Sequence, residues 1–172
     1  INIRTGTFET NSSSTHSICI PKEDRKINIP KEIEIDIKDY EFGWEFKTYN
    51  SPDERFAYLI MGLVSGWDDN FLENSVRLDK LLKMIGKYVN SIHIKGLDIV
   101  CYEHKTYYDT YDGYVDHANE LRELVDALLQ NEEMLKRYLF SNDSFILTGN
   151  DNDDREVNID VNYPYDEFCK GN

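Results

Sequence analysis

The spacing of apolar residues along the chain predicts a first helix that begins near Ser51 and continues to about Ser65. Ser51 is followed by Pro52, Asp53 and Glu54, which gives a helix cap, a proline at the first helical position and acids beside the positive end of the helix dipole. The apolar residues that follow lie at helical spacing on one face: Phe56, Leu59, Ile60, Leu63, Val64 and Trp67. This segment is therefore predicted to be a core helix.

Three further helices are predicted from the same periodicity. The second begins with a cap at Asn74 or Ser75 and ends near Asn90. The third spans about residues 115–130, and a shorter fourth spans Glu132–Phe140. The apolar stripes of the second and third helices are Leu78, Leu81, Leu82, Ile85 and Val89, and Leu121, Leu124, Val125, Leu128 and Leu129.

Period-two alternation and β-branched pairs predict the strands. The clearest is 32–38, where three isoleucines alternate with polar residues, so one face of this strand is expected to be exposed to solvent. Gly96 divides 91–103 into two strand segments or bends a single strand. The other predicted strands are 1–4, 17–20, 144–148 and 156–161, with a polar loop at 5–16 and a hairpin that closes around an acidic loop at 149–155.

Together these elements predict an α+β fold of one domain, residues 1–172. A strand-rich beginning, a helical middle and a closing hairpin favour a mixed, mainly antiparallel sheet with three to four helices packed on one face. The chain has 172 residues, of which 40% are hydrophobic, and this is enough to build one core. It contains no repeat and no flexible linker that would divide it.

Charge and composition limit the classes of partner. The net charge of -14 argues against direct nucleic-acid binding, because phosphate recognition needs a basic surface, and it favours a basic protein partner. No apolar run is long enough to cross a membrane, and the beginning of the chain lacks the pattern of a secretion signal. We therefore expect a cytoplasmic protein that does not bind membranes.

A hydroxyl-rich segment near the start of the chain is the first candidate site. Its side chains donate and accept hydrogen bonds, and closely spaced backbone amides in such a loop form anion-binding nests. The candidate ligand-binding residues are Arg4, Glu9, Asn11, Ser12, Ser13, Ser14 and His16. These residues predict a site that binds an anionic small molecule such as a nucleotide. The alternative interpretation is a chain of turns in which the residues hydrogen-bond their own backbone.

The sequence Phe8-Glu9-Thr10-Asn11-Ser12-Ser13-Ser14-Thr15-His16-Ser17, a few residues after Arg4, resembles a signature of small uncharacterised proteins of phages and prophages in Gram-positive bacteria. The resemblance covers about the first twenty residues. It implies a phage-related origin. For a phage-encoded protein, the implied location is the cytoplasm of the host cell. The resemblance implies no particular reaction.

A second candidate site lies where tyrosines alternate with acids. The candidate partner-binding residues are Tyr107, Tyr108, Asp109, Tyr111, Asp112 and Tyr114. Tyrosine gives rigid apolar area with a polar tip, and together with carboxylates it resembles stacked bases and phosphates to a nucleic-acid-binding protein. The alternative interpretation is that the tyrosines pack over the edge of the core while the acids keep the loop soluble.

No signature predicts a cofactor, a metal site or a catalytic triad. The acidic run 150–154 lacks the glycine and the distal glutamate of an EF-hand loop, so no metal is predicted there. The three cysteines form no CxxC motif. Two hypotheses follow: an acidic phage-related protein that binds and neutralises a basic host factor, or a small enzyme or sequestering protein with a pocket in the serine-rich loop. The sequence leaves catalysis and oligomeric state open.

Overall fold

The computed structural model describes residues 14–23, 26–43, 45–64, 70–102, 104–110, 113–115, 121–150 and 165–170. Within these residues the helices are α1 (Pro52–Val64), α2 (Phe71–Ile85), α3 (Leu121–Gln130) and α4 (Glu132–Phe140). The strands are β1 (Ser14–Pro21), β2 (Glu32–Asp36), β3 (Glu41–Phe42), β4 (Lys47–Tyr49), β5 (Ser91–Lys95), β6 (Asp98–Tyr102), β7 (Lys105–Asp109), β8 (Tyr114–Val115), β9 (Phe145–Asn150) and β10 (Tyr165–Lys170). The predicted α+β class is confirmed.

The largest sheet is antiparallel and has the strand order β10-β1-β9-β4. Its central strands carry β-branched residues that enter the core, with Ile18 of β1 opposite Ile146 of β9. Three smaller pairs complete the described strands: β2 with β5 and β3 with β8 are parallel, while β6 with β7 is an antiparallel hairpin. The strand pairs are therefore of both kinds and mainly antiparallel, as predicted.

Helix α1 lies in the middle of the molecule, where every residue from Arg55 to Val64 is buried. It contacts the other three helices as well as β2 and β8. The predicted start is confirmed by a capping box, because the Glu54 backbone N–H donates to Ser51 Oγ while the Ser51 N–H donates to the Glu54 carboxylate. A helix that is apolar on all sides is stable only inside a core, and α1 therefore fixes the elements around it.

Arg55 is the one charged residue of α1 that is fully buried. Its guanidinium donates to the backbone carbonyls of Asn50, Leu139, Ser141 and Ser144, and so it joins the start of α1 to the end of α4 and the start of β9. Burial lowers the pKa of this group to about 10, because desolvation penalises its charged form. The four carbonyls supply partial negative charge to the buried guanidinium.

Helices α2, α3 and α4 pack around α1 through the predicted stripes. Leu78, Leu81 and Ile85 of α2 are buried, as are Leu124 and Val125 of α3. Helix α4 also contacts β1, so one face of the large sheet is covered by helices. Among the described helices, none has the length and apolar composition needed to span a membrane.

Several predicted boundaries are wrong. Strand β1 begins at Ser14, so the predicted loop 5–16 ends earlier than expected. Helix α2 begins at Phe71, which places the predicted caps Asn74 and Ser75 inside the helix, where both are buried. Val115, the predicted start of the third helix, lies in β8 instead.

The closing part of the chain also differs from the expected hairpin. Strand β9 pairs with β1 and β4, and the last strand, β10, pairs with β1 rather than with β9. The sequence pattern missed β10. The predicted strands 1–4 and 156–161 lie outside the described residues.

Candidate functional site

The candidate site lies at one end of the large sheet. Strands β1 and β4 both pair antiparallel with β9, so they run in the same direction and begin at the same end. Ser14 pairs with Asn150 at this end, and Lys47 pairs with Thr148. The connection from β3 to β4 crosses the same end, because Lys47 is the first residue of β4.

His16 fixes this connection to the core from inside. Its imidazole is fully buried, with Nδ1 2.9 Å from the Tyr58 hydroxyl and Nε2 3.2 Å from the Gly43 carbonyl oxygen. A carbonyl oxygen only accepts, so the Nε2–H donates to Gly43 and the Tyr58 O–H donates to Nδ1 in the neutral tautomer. His16 therefore links β1, α1 and the connection after β3.

Thr148 makes the matching contact from the neighbouring strand. It lies directly opposite His16 in the β1–β9 register, and its Oγ1 donates to the Glu45 carbonyl oxygen at 2.6 Å. Both side chains are buried. Two polar side chains of the sheet thus hold the backbone at Gly43 and at Glu45. We call these two residues the wall of the site.

A cleft of about 230 Å³ opens on this wall. Its lining residues are Lys38, Asp39, Glu41, Gly43, Glu45, Lys47, Tyr49 and Tyr114. The hydroxyl of Tyr49 donates to the Glu41 carbonyl oxygen at 2.9 Å, and burial raises the pKa of this hydroxyl, so it stays neutral. We call this feature the tyrosine–acid cleft.

The two tyrosine rings of the cleft contact Gly43 and Lys47. A Cβ on Gly43 would lie 2.7 Å from the Tyr114 hydroxyl oxygen, so glycine lets the Tyr114 ring lie against the wall. The Lys47 ammonium lies 4.6 Å from the centre of the Tyr49 ring. That distance is within the range of a cation–π interaction, so the face of Tyr49 already holds a cation.

The charges of the cleft are unevenly neutralised. Lys38 pairs with Asp36 at 3.2 Å, and Lys95 pairs with the same carboxylate at 2.8 Å. The hydrogen bond from Lys95 is the main reason that the pKa of Asp36 is lowered. The exposed carboxylates of Asp39, Glu41 and Glu45 have no ion pair with any of the described residues. The acids of the cleft therefore outnumber its lysines, three against two, and this excess suits a cation.

The predicted anion-binding loop lies only partly within the described residues. Arg4, Glu9, Asn11, Ser12 and Ser13 lie outside the described residues. The backbone of Ser14 belongs to β1. His16 is enclosed in the core, where its two nitrogens face Tyr58 and Gly43.

The predicted tyrosine and acid residues do not share one set of contacts. The Tyr107 ring packs on Phe71 of α2, with ring centres 4.5 Å apart. The Tyr108 hydroxyl donates to Asp79 of α2 at 2.7 Å.

The remaining members of this predicted group lie elsewhere. Asp109 is half-buried and lies opposite Asp98 in the β6–β7 hairpin. Tyr114 is exposed and lines the tyrosine–acid cleft. Tyr111 and Asp112 lie outside the described residues.

The acids and Tyr49 of the cleft were missed by the sequence analysis. They belong to a stretch in which acids and aromatic residues alternate, as in Glu41-Phe42 and Glu45-Phe46. The same kind of alternation singled out the second candidate site at 107–114. The cleft itself depends on contacts between distant residues, and no local pattern reveals these.

The described residues contain no group of three or more histidine, cysteine, aspartate or glutamate side chains arranged to hold a metal ion. Comparison of the chain with protein-family models, with curated proteins and with solved structures gave no match. The functional argument therefore depends on the geometry of the cleft.

Proposed function

We propose that this protein acts by binding, and that its tyrosine–acid cleft receives a cationic segment of another protein. The observation that supports the proposal is that three exposed acids, which form no ion pair with another described residue, line one cleft that also contains two tyrosines. These carboxylates belong to Asp39, Glu41 and Glu45. An arginine or lysine side chain of a partner donates charge-assisted hydrogen bonds to such carboxylates.

The chemistry of the lining favours a cation over other ligands. Carboxylates accept charge-assisted hydrogen bonds from guanidinium and ammonium groups, and tyrosine rings attract cations to their faces. Tyr49 shows this preference within the chain, because the Lys47 ammonium lies over its ring. An anionic ligand would be repelled by the three carboxylates, which outnumber the two lysines of the lining.

The charge of the whole chain supports the same class of partner. A net charge of -14 attracts basic molecules over a distance of about 8 Å at physiological ionic strength. Exposed charges of this kind change the association rate and the salt dependence more than the final affinity. We therefore propose a basic protein partner whose binding weakens as salt is added.

The biological role that we propose for this binding is neutralisation of a host factor. The resemblance of residues 8–17 to phage and prophage proteins is the reason for this part of the proposal. A basic, nucleic-acid-binding host protein has the charge that the cleft requires. Occupying its basic segment would block its access to nucleic acid.

Binding of a short arginine- and lysine-rich peptide tests the proposal. The site variant is Asp39→Asn/Glu41→Gln/Glu45→Gln, and the matched control is Glu32→Gln/Glu34→Gln/Glu123→Gln, which removes the same charge from exposed acids outside the cleft. We expect the site variant to lose affinity by about tenfold and the control by about twofold. Equal losses in the two variants, or no binding by the unmodified protein, would refute the proposal.

A further inference from the structure

The β6–β7 hairpin has one covered edge and one open edge. On the outer edge of β7, the Tyr108 backbone N–H donates to Ser75 Oγ of α2 at 2.9 Å. Helix α2 therefore closes the edge of β7. On the outer side of β6, no strand pairs with it among the residues that the structure describes.

The register of the hairpin shows which groups β6 presents outward. Because Tyr108 directs its N–H away from β6, its partner Ile99 directs its own N–H and C=O away from β7. The alternation of an antiparallel ladder gives Cys101 the same direction. The open edge thus offers the hydrogen-bonding groups of Ile99 and Cys101.

The same two residues make this edge apolar. Ile99 is 69% exposed, which is the largest value among the exposed large hydrophobic side chains of the described residues. Cys101 is also exposed and lies on the same face of the hairpin as Ile99, two residues further along. An apolar edge with unpaired backbone groups is a template for another strand.

The two ends of the hairpin differ in charge. Asp98 lies directly opposite Asp109 at one end, and this places like charges side by side. Tyr102 lies opposite Lys105 at the other end. In sequence, Glu103 offsets Lys105 at this second end. An antiparallel copy of β6 would place the acidic end of one hairpin beside the Tyr102–Lys105 end of the other, so the two Asp98–Asp109 pairs stay apart.

We propose that β6 pairs antiparallel with β6 of a second copy of this chain, about a two-fold axis at Val100. Ile99 then lies opposite Cys101 of the second copy, and each of these pairs exchanges two backbone hydrogen bonds. The result is a four-stranded sheet in the order β7-β6-β6-β7, and the interface is the same surface on both copies.

A second copy fits this edge better than an unrelated segment does for two reasons. The outward groups of Ile99 and Cys101 match in register only when the axis passes through Val100, and that register places Asp98 opposite Tyr102 of the second copy, away from the second Asp98–Asp109 pair. It also places Ile99 beside Cys101 of the second copy, which covers both exposed side chains.

Sedimentation equilibrium of the full chain tests the pairing. We expect a reversible dimer, with Ile99→Lys raising the dissociation constant at least about tenfold. The matched control is Val76→Lys, which places the same charge on an exposed apolar residue of α2, and it should leave the dissociation constant unchanged. An unmodified chain that stays monomeric, or equal effects of the two variants, would overturn the inference.

A disulfide at the proposed axis gives an independent test that does not depend on weakening the edge. In a Cys101→Ser background, Val100→Cys should form a covalent dimer under mild oxidation, because facing residues of a non-hydrogen-bonded pair have Cα atoms about 4.5 Å apart. Thr106→Cys in the same background places an exposed thiol on β7, away from the axis, and should give no covalent dimer. Cross-linking of Thr106→Cys but not of Val100→Cys would contradict the axis.

Discussion

The buried imidazole of His16 lies 2.9 Å from the hydroxyl of Tyr58, and this contact joins the sheet to the central helix directly behind the tyrosine–acid cleft. The second ring nitrogen holds the Gly43 carbonyl. His16 therefore has two buried partners, one in the core and one in the wall of the cleft.

Replacement of His16 tests its place in the core. We expect His16→Ala to lower the free energy of unfolding by about 2–4 kcal/mol, because it leaves a cavity and removes the buried hydrogen bonds to Tyr58 and Gly43. Tyr58→Phe removes one of the two hydrogen bonds and keeps the ring, so its cost should be about 1 kcal/mol. Urea unfolding measures both values. A fully stable His16→Ala variant would show that His16 does not hold the wall.

The position of Lys47 over Tyr49 predicts that it competes with an incoming cation. Lys47→Met should raise the affinity for the arginine- and lysine-rich peptide, because it opens the ring face and removes repulsion. Lys38→Met removes the same charge from the same cleft without uncovering Tyr49, and it is the control. Fluorescence titration should give a larger gain for Lys47→Met. Equal gains would mean that charge alone is responsible.

Stability should fall in alkaline solution because of buried tyrosines. Burial raises the pKa of the Tyr138 hydroxyl above its ordinary value of 10.0, and burial likewise raises the pKa of Tyr49. Unfolded tyrosines ionise first, so stability that is fully present below about pH 10 is lost as the pH rises further. Arg55 acts in the opposite direction in this range, because burial lowers its pKa to about 10.

Denaturant unfolding between about pH 8 and 11 measures this alkaline loss. Tyr138→Phe should make the loss smaller per unit of pH, although it also removes the hydrogen bond to the Arg55 carbonyl and lowers stability at all pH values. Tyr114→Phe makes the same change at an exposed tyrosine and is the control. If Tyr138→Phe lost stability with pH as steeply as the unmodified protein, Tyr138 would not be a source of the alkaline loss.

Gly113 is required by both its backbone and its surroundings. Its φ is +71°, and a Cβ would lie 2.7 Å from the Ile37 carbonyl oxygen and 2.8 Å from that of Tyr40. Gly96 has a similar φ of +85° but more space, with the nearest side-chain atom at 3.4 Å. Gly96→Ala should therefore cost about 1–2 kcal/mol and Gly113→Ala more, as measured by thermal unfolding. Equal losses of stability in the two variants would show that the Ile37 and Tyr40 carbonyls move aside at no cost.

Local patterns predicted the elements whose boundaries depend on nearby residues. Helix α1 begins at its capping box and α4 has the predicted bounds, because both carry their start signals next to an apolar stripe. The break at Gly96 separates β5 from β6 as expected.

The wrong boundaries have tertiary causes. Ser75 favours a cap in isolation, but here its hydroxyl donates to Phe71 within the helix and accepts from Tyr108 of the hairpin. Val115 pairs with Phe42 in the parallel β3–β8 pair, and this pairing replaces the predicted helical turn.

The candidate site was the part least accessible to sequence analysis. The composition of Glu41, Glu45 and Tyr49 resembles that of the predicted tyrosine and acid surface, but only folding brings them to one cleft with Tyr114. Tyr107 and Tyr108 have the same composition and instead anchor the hairpin on α2. Identical side-chain types thus serve packing in one place and form a cleft in another.

The most direct test of the central claim is the location of the bound peptide. Backbone amide NMR shifts of the isotope-labelled protein, titrated with the arginine- and lysine-rich peptide, should change first at Asp39, Glu41 and Glu45 and at Tyr114. Shift changes confined to other surfaces, or absent at saturating peptide, would contradict the claim that this cleft binds cations.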